Sequence, residues 1–304
     1  MKQYNEKIFW DNERHFLDDG KFHMDVVHRT MEGIENPAYF PGYIDNKEHP
    51  LFFCNSITHR DIDGNLTFDW CGSDGPNEFE KNKVKMGPSW KYLTKKVNYK
   101  INSSGYRTYD WNQIDWPNAI LLLGCSSTYG VGVAEDETLS YYLENLTGRQ
   151  VVNLGTPGGS NSLISYLCAL VLEKFSTPYA IVVNWTTGDR YRHFFKNRYF
   201  DVGPWNSKKV SGLVEERVDG LNLSLAWENR YINRYHELAE NYYISKTVKA
   251  MCQSTKYVTL SYFDYMAHIN RADICISADP LARDLIHPSS KIHETAATEI
   301  YKLL

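Results

Sequence analysis

Ser126 stands where a serine can be made reactive. It follows the apolar run Ala119-Ile120-Leu121-Leu122-Leu123 and the pair Gly124-Cys125, and it precedes Ser127-Thr128-Tyr129-Gly130-Val131-Gly132. A hydroxyl just past a buried strand is exposed at the sheet edge, where the amides of a following helix can face developing negative charge. The segment is not a Gly-x-Ser-x-Gly elbow, because Thr128 occupies the second glycine position. Taken alone it also fits a structural turn or a phosphate-cradling loop. Near the other end stands Asp284-Leu285-Ile286-His287-Pro288. A carboxylate three residues before a histidine can reach back and hold one ring nitrogen, leaving the other to take a proton from a serine. An imidazole near its ordinary pKa suits general acid and base work around neutrality. Asp-x-x-His alone also arises by chance on protein surfaces, so the pair gains weight only together with Ser126.

The elements that must bring these residues together are legible from residue 117 onward. Ala119–Leu123, Val151–Leu154, Tyr179–Val183 and Tyr257–Tyr262 are short apolar runs suited to strands buried on both faces. Between and after them, Glu135–Leu146, Asn161–Lys174, His236–Met251 and Ser290–Leu304 have the spacing or length of helices. Alternation of this kind predicts an α/β three-layer sandwich with a central parallel sheet, its site beyond the carboxyl ends of the strands. Residues 1–116 are more polar and aromatic, with β-like pieces at Leu51–Cys54, Leu66–Phe68 and Val97–Ile101 separated by turn sequences such as Asp63-Gly64-Asn65 and Ser73-Asp74-Gly75-Pro76. They are expected to form an accessory region of short strands and loops. Residues 117–304 would be the α/β domain that carries these residues, interrupted by an insertion around 190–250.

Order and setting together resemble a known family. Gly124-Cys125-Ser126, with Gly130 and Gly132 behind it, resembles the first block of the SGNH (GDSL-type) hydrolases. Asn153-Leu154-Gly155-Thr156-Pro157-Gly158 resembles the second block, and Asp284-Leu285-Ile286-His287 resembles the fifth. The resemblance covers about residues 118–304 and implies a flavodoxin-like SGNH fold. It implies that Ser126 attacks an ester, His287 is the base and Asp284 orients it. It also implies an oxyanion hole built from the Ser126 and Gly158 amides. The lead-in Asn98–Arg107 looks like that of some members acting on acylated glycans.

Two departures from the family pattern matter. Cys125 replaces the family aspartate; a thiol is the better intrinsic nucleophile, but its register turns it away from His287, which favours Ser126. The third block, Gly-x-Asn-Asp in the family, reads Asn184-Trp185-Thr186-Thr187-Gly188-Asp189-Arg190 here. Counting from the strand puts Asp189 at the position of the donating asparagine. An ionised carboxylate cannot donate, so Asn184, Thr187 or Arg190 supplies the third donor, or the hole is short by one. Losing one donor costs about 2.7–4 kcal/mol of transition-state stabilisation.

Other features narrow the class. A net charge of −4 over 304 residues offers no global basic field for nucleic acid or anionic lipid. Lys81, Lys83, Lys85, Lys91, Lys95 and Lys96 sit near Glu78 and Glu80 and read as a solvated face. The start, Met1–Lys7, is polar and leads into no apolar secretory region, and no long apolar run predicts a membrane span. A cytoplasmic location, or release without a signal peptide, is expected. The six cysteines are scattered and read as reduced thiols. The ten histidines form no ligand spacing, so no metal and no cofactor is expected. Asp61–Thr67 reads as a hairpin turn, not a calcium loop, because Gly64 falls at position four of it. Gly155, Gly158, Gly159 and Ser160 lack the lysine that a nucleotide loop would carry. Arg190-Tyr191-Arg192-His193 lines the cleft, clamps an anionic substrate or is plain surface charge, and His293 reads as a helix-surface histidine more than as a support behind His287. The expectation is therefore a serine esterase, with 22 Tyr and 8 Trp leaning toward an O-acetylated carbohydrate. The alternatives are a lipase or thioesterase on the same machinery, and a non-catalytic glycan-binding or structural protein.

Overall fold

The computed structural model describes residues 67–304 except 103–104, 196–197, 205–216, 219–220, 223–224, 226 and 228–233. Leu51–Cys54 and most of Asp61–Thr67 lie outside the described residues. The described part opens with β1 (Thr67–Phe68), α1 (Pro76–Met86) and β2 (Tyr99–Lys100). β1 and β2 pair antiparallel.

A regular alternation follows. It runs β3 (Ile120–Cys125), α2 (Ser126–Tyr129), α3 (Leu139–Thr147), β4 (Val151–Thr156), α4 (Asn161–Lys174) and β5 (Ala180–Trp185). Two hairpins come next: β6 (Tyr191–Phe195) with β7 (Arg198–Val202), and β8 (Arg217–Val218) with β9 (Leu221–Asn222). The chain then resumes with α5 (Arg234–Met251), β10 (Lys256–Ser261), α6 (Asp264–Asn270), β11 (Ile274–Cys275) and α7 (Ser290–Leu303).

Five strands form one parallel sheet in the order β4-β3-β5-β10-β11. Numbered along the chain, that is the 2-1-3-4-5 order of a flavodoxin-like sheet. Its topological switch point lies between its first and third strands, here β3 and β5.

The sheet's period of two sorts its residues between two cores. Leu121, Leu123, Val152, Leu154, Ile181 and Val183 point to one face, where Leu163, Ile164, Leu167 and Val171 of α4 cover them. Ile120, Leu122, Val151, Val182, Val258 and Leu260 point to the other, under Leu139 and Leu143 of α3 and Ile292, Ala296, Ala297 and Ile300 of α7. The fold is therefore the expected α/β three-layer sandwich.

One finding differs from the sequence reading and a second adds to it. The region before residue 117 is not strands and loops alone. α1 lies in it, with Pro76 in its first turn, Glu78 near its N-terminus and Lys83 and Lys85 in its last turn. It buries no residue, so it has no apolar stripe for periodicity to detect; its signals are proline and charge placement. Second, Trp90, Tyr92, Val97, Tyr99, Ile101, Tyr106 and Trp116 belong to the same buried cluster as Leu121 and Leu123. The described part of residues 67–116 thus packs into the core of the sheet domain.

Candidate active site

Ser126 begins α2 directly at the carboxyl end of β3, beside the switch point. α2 must lie very close to β4 for this, and Gly155 allows it: a Cβ there would collide with the backbone nitrogen of Tyr129. Asn153 fastens the same turn, its Nδ2 donating to the Thr128 carbonyl at 2.9 Å. The loop behind α2 is gripped from the N-terminal region. Arg107, with its side chain fully buried, donates to the carbonyls of Gly130 at 2.8 Å and Val133 at 3.2 Å and pairs with Glu135 at 2.8 Å.

His287 arrives on a tight loop closed by a bridge between Leu281 and Pro288, with the Ala282 N–H donating to the His287 carbonyl at 2.8 Å. Leu285, with φ +57°, sits in the left-handed region that side chains other than glycine disfavour. Asp284 holds that turn together. Its Oδ1 accepts the N–H groups of Ile286 and His287, both at 3.1 Å. Its Oδ2 receives His287 Nδ1 at 2.5 Å. His287 Nε2 lies 2.7 Å from Ser126 Oγ. Burial alone would push the Asp284 carboxyl up. The hydrogen bond and charge of His287, then the Ser73 hydroxyl, outweigh it and hold the group below the usual carboxylate range. An ionised carboxylate only accepts, so Nδ1 carries the proton and Nε2 presents its lone pair to the serine hydroxyl.

The remaining predicted residues fall around this chain. Cys125 ends β3, buried, with Ser126 beyond it. Burial raises its thiol pKa, yet the Arg190 charge, then a hydrogen bond from Thr186, bring the net shift below the ordinary value. Arg190 therefore acts at the site end of the sheet. Gly158 follows β4 with φ +75°, and its N–H makes no backbone hydrogen bond among the described residues. Asn184 lies within β5, and its amide donates to Thr128 Oγ1 at 2.9 Å, inside the core. Thr187 and Asp189 lie past the strand end. The Thr187 hydroxyl is buried without a hydrogen bond among the described residues, as is Asp189 Oδ1.

The loop that carries Thr187 and Asp189 is braced by α4 and α5. Asn161 bonds both ways to the backbone of Thr186, donating to its carbonyl and accepting its N–H, each at 3.0 Å. It also donates to Asn241 at 2.7 Å, and Asn241 donates to the Gly188 carbonyl at 3.3 Å.

His293 corrects the sequence reading. It is 0% exposed, not a surface residue. Its pKa falls to about 3, first by burial, then by the charges of Arg107 and His287. The stripe Ile292, Ala296, Ala297 and Ile300 of α7 was the available signal, because position 293 lies along it.

Four residues around the site were given no part in it by the sequence reading: Ser73, Asp74, Tyr99 and Arg283. Ser73 Oγ donates to Asp284 Oδ2 at 2.7 Å. The neighbouring Arg283 grips the Asp74 carboxylate with two bonds, of 2.7 and 2.6 Å. Tyr99 donates to Asp74 at 2.5 Å and accepts the Gly132 N–H at 2.8 Å. No local pattern marks these partners, since more than 200 residues separate Ser73 and Asp74 from Asp284 and Arg283. Among the described residues, no cluster of His, Cys, Asp or Glu could hold a metal ion, and no helix is long and apolar enough to cross a membrane.

Solved structures with some likeness include a member of the lipolytic protein G-D-S-L family from Veillonella parvula DSM 2008. It has 12% identity and a TM-score of 0.34, over 61% of this chain and 99% of that one. A carbohydrate acetylesterase family member from Sinorhizobium meliloti has 10% identity and a TM-score of 0.37, over 61% and 96%. A carbohydrate esterase family 2 enzyme with a carbohydrate-binding domain, from Corynascus thermopiles (Myceliophthora fergusii), has 13% identity and a TM-score of 0.38, over 61% and 64%. No protein-family model and no curated protein matches the sequence. Likenesses this distant carry no argument about chemistry, so the functional reading rests on the site itself.

Proposed function

We propose that this protein is a serine hydrolase of carboxylic esters that works through an acyl-Ser126 intermediate. The observation that carries the reading is the unbroken chain Ser126 Oγ, His287 Nε2, His287 Nδ1, Asp284 Oδ2, with links of 2.7 and 2.5 Å, set at the sheet's switch point. His287 accepts the hydroxyl proton as Ser126 Oγ bonds to the ester carbonyl carbon. The carbonyl oxygen becomes an oxyanion facing the Ser126 and Gly158 amides. His287 then passes its proton to the departing alkoxide, which leaves as the alcohol. A water, deprotonated by the same histidine, cleaves the acyl-serine and releases the acid. Asp284 keeps Nδ1 protonated and stabilises the imidazolium.

An O-acetyl ester on a carbohydrate is the favoured substrate. Its support is the aromatic content, with Tyr235 and Tyr243 projecting from α5 into solvent, since tyrosine faces stack on sugar rings. One observation favours a second reading, a glycan-binding protein without turnover: the Asn184 amide is committed to Thr128, leaving fewer donors for an oxyanion.

Hydrolysis of p-nitrophenyl acetate by wild type and Ser126→Ala, at matched thermal stability, separates the two. Turnover by wild type with a loss of about 10⁴-fold or more in the variant is expected. Equal rates for both proteins remove the acyl-Ser126 reading, and inactivity of both favours the binding protein.

A further inference from the structure

We infer that Ser73 is a positioning residue for the base, and that residues 69–102 and 105–107 are part of the reaction centre's framework. This rests on the hydrolase reading above. An ionised carboxylate has about four lone-pair sites, and all four of Asp284 are filled. Two backbone N–H groups of its own loop occupy Oδ1. His287 and Ser73 share Oδ2. Because Asp284 is ionised, the Ser73 hydroxyl can only donate to it. Its O–H fixes the rotation of the carboxylate plane, and so the direction in which Oδ2 meets His287 Nδ1. Without it, the two backbone donors on Oδ1 would still anchor the group but would not choose the angle of the other oxygen.

Ser73 is itself held by structure outside the sheet. Cys71 and Asp74 exchange two backbone hydrogen bonds of 3.0 Å, which close the turn that carries it. One residue on, Asp74 takes the double grip of Arg283, whose guanidinium also donates to the Asp69 carbonyl at 2.7 Å and stacks over Trp70 at 4.3 Å. Asn82 of α1 donates to the Arg283 carbonyl at 3.1 Å, and the Arg283 N–H donates to the Gly132 carbonyl at 3.0 Å. The same knot thus ties the turn of Ser73, the loop behind Ser126 and the loop of His287. Gly132 is required at its centre: φ is +81°, and a Cβ there would lie 2.9 Å from Ala282 Cβ and 3.2 Å from Asp284 Oδ1.

The test uses the full chain with Ser73→Ala and Ser73→Thr, and reads two quantities. The first is turnover of p-nitrophenyl acetate. A hydrogen bond to a charged group is lost in Ser73→Ala, so kcat is expected to fall about 10-fold with KM unchanged, and Ser73→Thr, which keeps the hydroxyl, to stay within about 2-fold of wild type. The second is the low-field proton resonance of His287 Nδ1–H, recorded also in the Ser126→Ala background, where no turnover is needed. It is expected to move in Ser73→Ala and to return in Ser73→Thr. An unmoved resonance in Ser73→Ala overturns the inference whatever the activity. So does a loss shared equally by both variants together with a lowered melting temperature, which marks a merely structural serine. If wild type and Ser126→Ala turn over the ester alike, the hydrolase reading fails by itself, while the resonance still decides whether Ser73 orients the Asp284–His287 pair.

Discussion

The two sides of Ser126 are built differently. On the His287 side the groups that hold the imidazole are matched: Asp284 has four donors, the Asp74–Arg283 pair is closed, and the Tyr99 hydroxyl both donates and accepts. On the β5 side the Asn184 amide turns into the core, and Thr187 Oγ1 and Asp189 Oδ1 are buried without hydrogen bonds among the described residues. A fully matched polar network is rigid, and it punishes the loss of any member. On the proposed mechanism, the proton-transferring half is thus fixed in advance of substrate, while on the other half Thr187 Oγ1 is a donor that an incoming carbonyl oxygen could engage.

The largest effect expected from breaking this asymmetry is at the Asp74–Arg283 pair. Both side chains are nearly fully buried, at 1% and 6% exposure. Asp74→Asn leaves a buried guanidinium without its counter-charge, and a stability loss of about 3–5 kcal/mol is expected by urea unfolding. Replacing both, Asp74→Leu with Arg283→Met, removes the charge that must be matched and should recover much of that stability. It should not recover turnover, because the turn of Ser73 loses its anchor. A double variant as active as wild type would show that the knot holds the fold and not the base.

On the other side, Thr187→Val removes a hydroxyl that has no partner among the described residues. If that hydroxyl meets the oxyanion, kcat falls by about 10²-fold, near the lower end for loss of one donor, with KM and melting temperature unchanged. Asn184→Ala should do the reverse: it removes a bond to Thr128 inside the core, so stability falls. Equal kcat in wild type and Thr187→Val would sink this assignment and leave Arg190 as the donor to change next.

The contrast also explains what could be read from the chain. Ser126, Asp284 and His287 were legible because each lies at a local signature: an apolar run ending in glycine, and an Asp-x-x-His loop ahead of a helix. The sheet was legible because four of its five strands are buried runs that alternate with helices. The hairpins β6–β9 and the short β11 were not, having too few residues for a period to emerge. Ser73 and Asp74 were read only as turn chemistry, and their meaning depends on partners 211 and 209 residues away. Arg107 lay inside a lead-in whose resemblance was visible, but its task, clamping carbonyls behind Ser126, is a property of packing. Long-range polar complementarity leaves no periodicity.

His293 gives the smallest and most specific effect. It lies buried behind the His287 loop with a pKa near 3, against about 6.5 for an unfolded histidine. Between those values the unfolded chain binds a proton that the native state refuses, so the native state loses stability as pH falls from about 6.5 toward 3, by at most about 1.4 kcal/mol per pH unit. Below that window both states are protonated and the contribution is flat. His293→Phe removes the titrating group while keeping an apolar ring in the α7 stripe. Urea unfolding of both proteins at neutral and mildly acidic pH should then show a shallower acid slope in the variant. Parallel slopes would mean that His293 accepts its proton in the folded state, and that the charges of Arg107 and His287 do not keep it neutral. The position beside His287 makes this matter for the base as well as for stability. On the proposed mechanism, a second cation behind the imidazole would oppose the imidazolium that forms as Ser126 gives up its proton, so a His293 held neutral would favour that step.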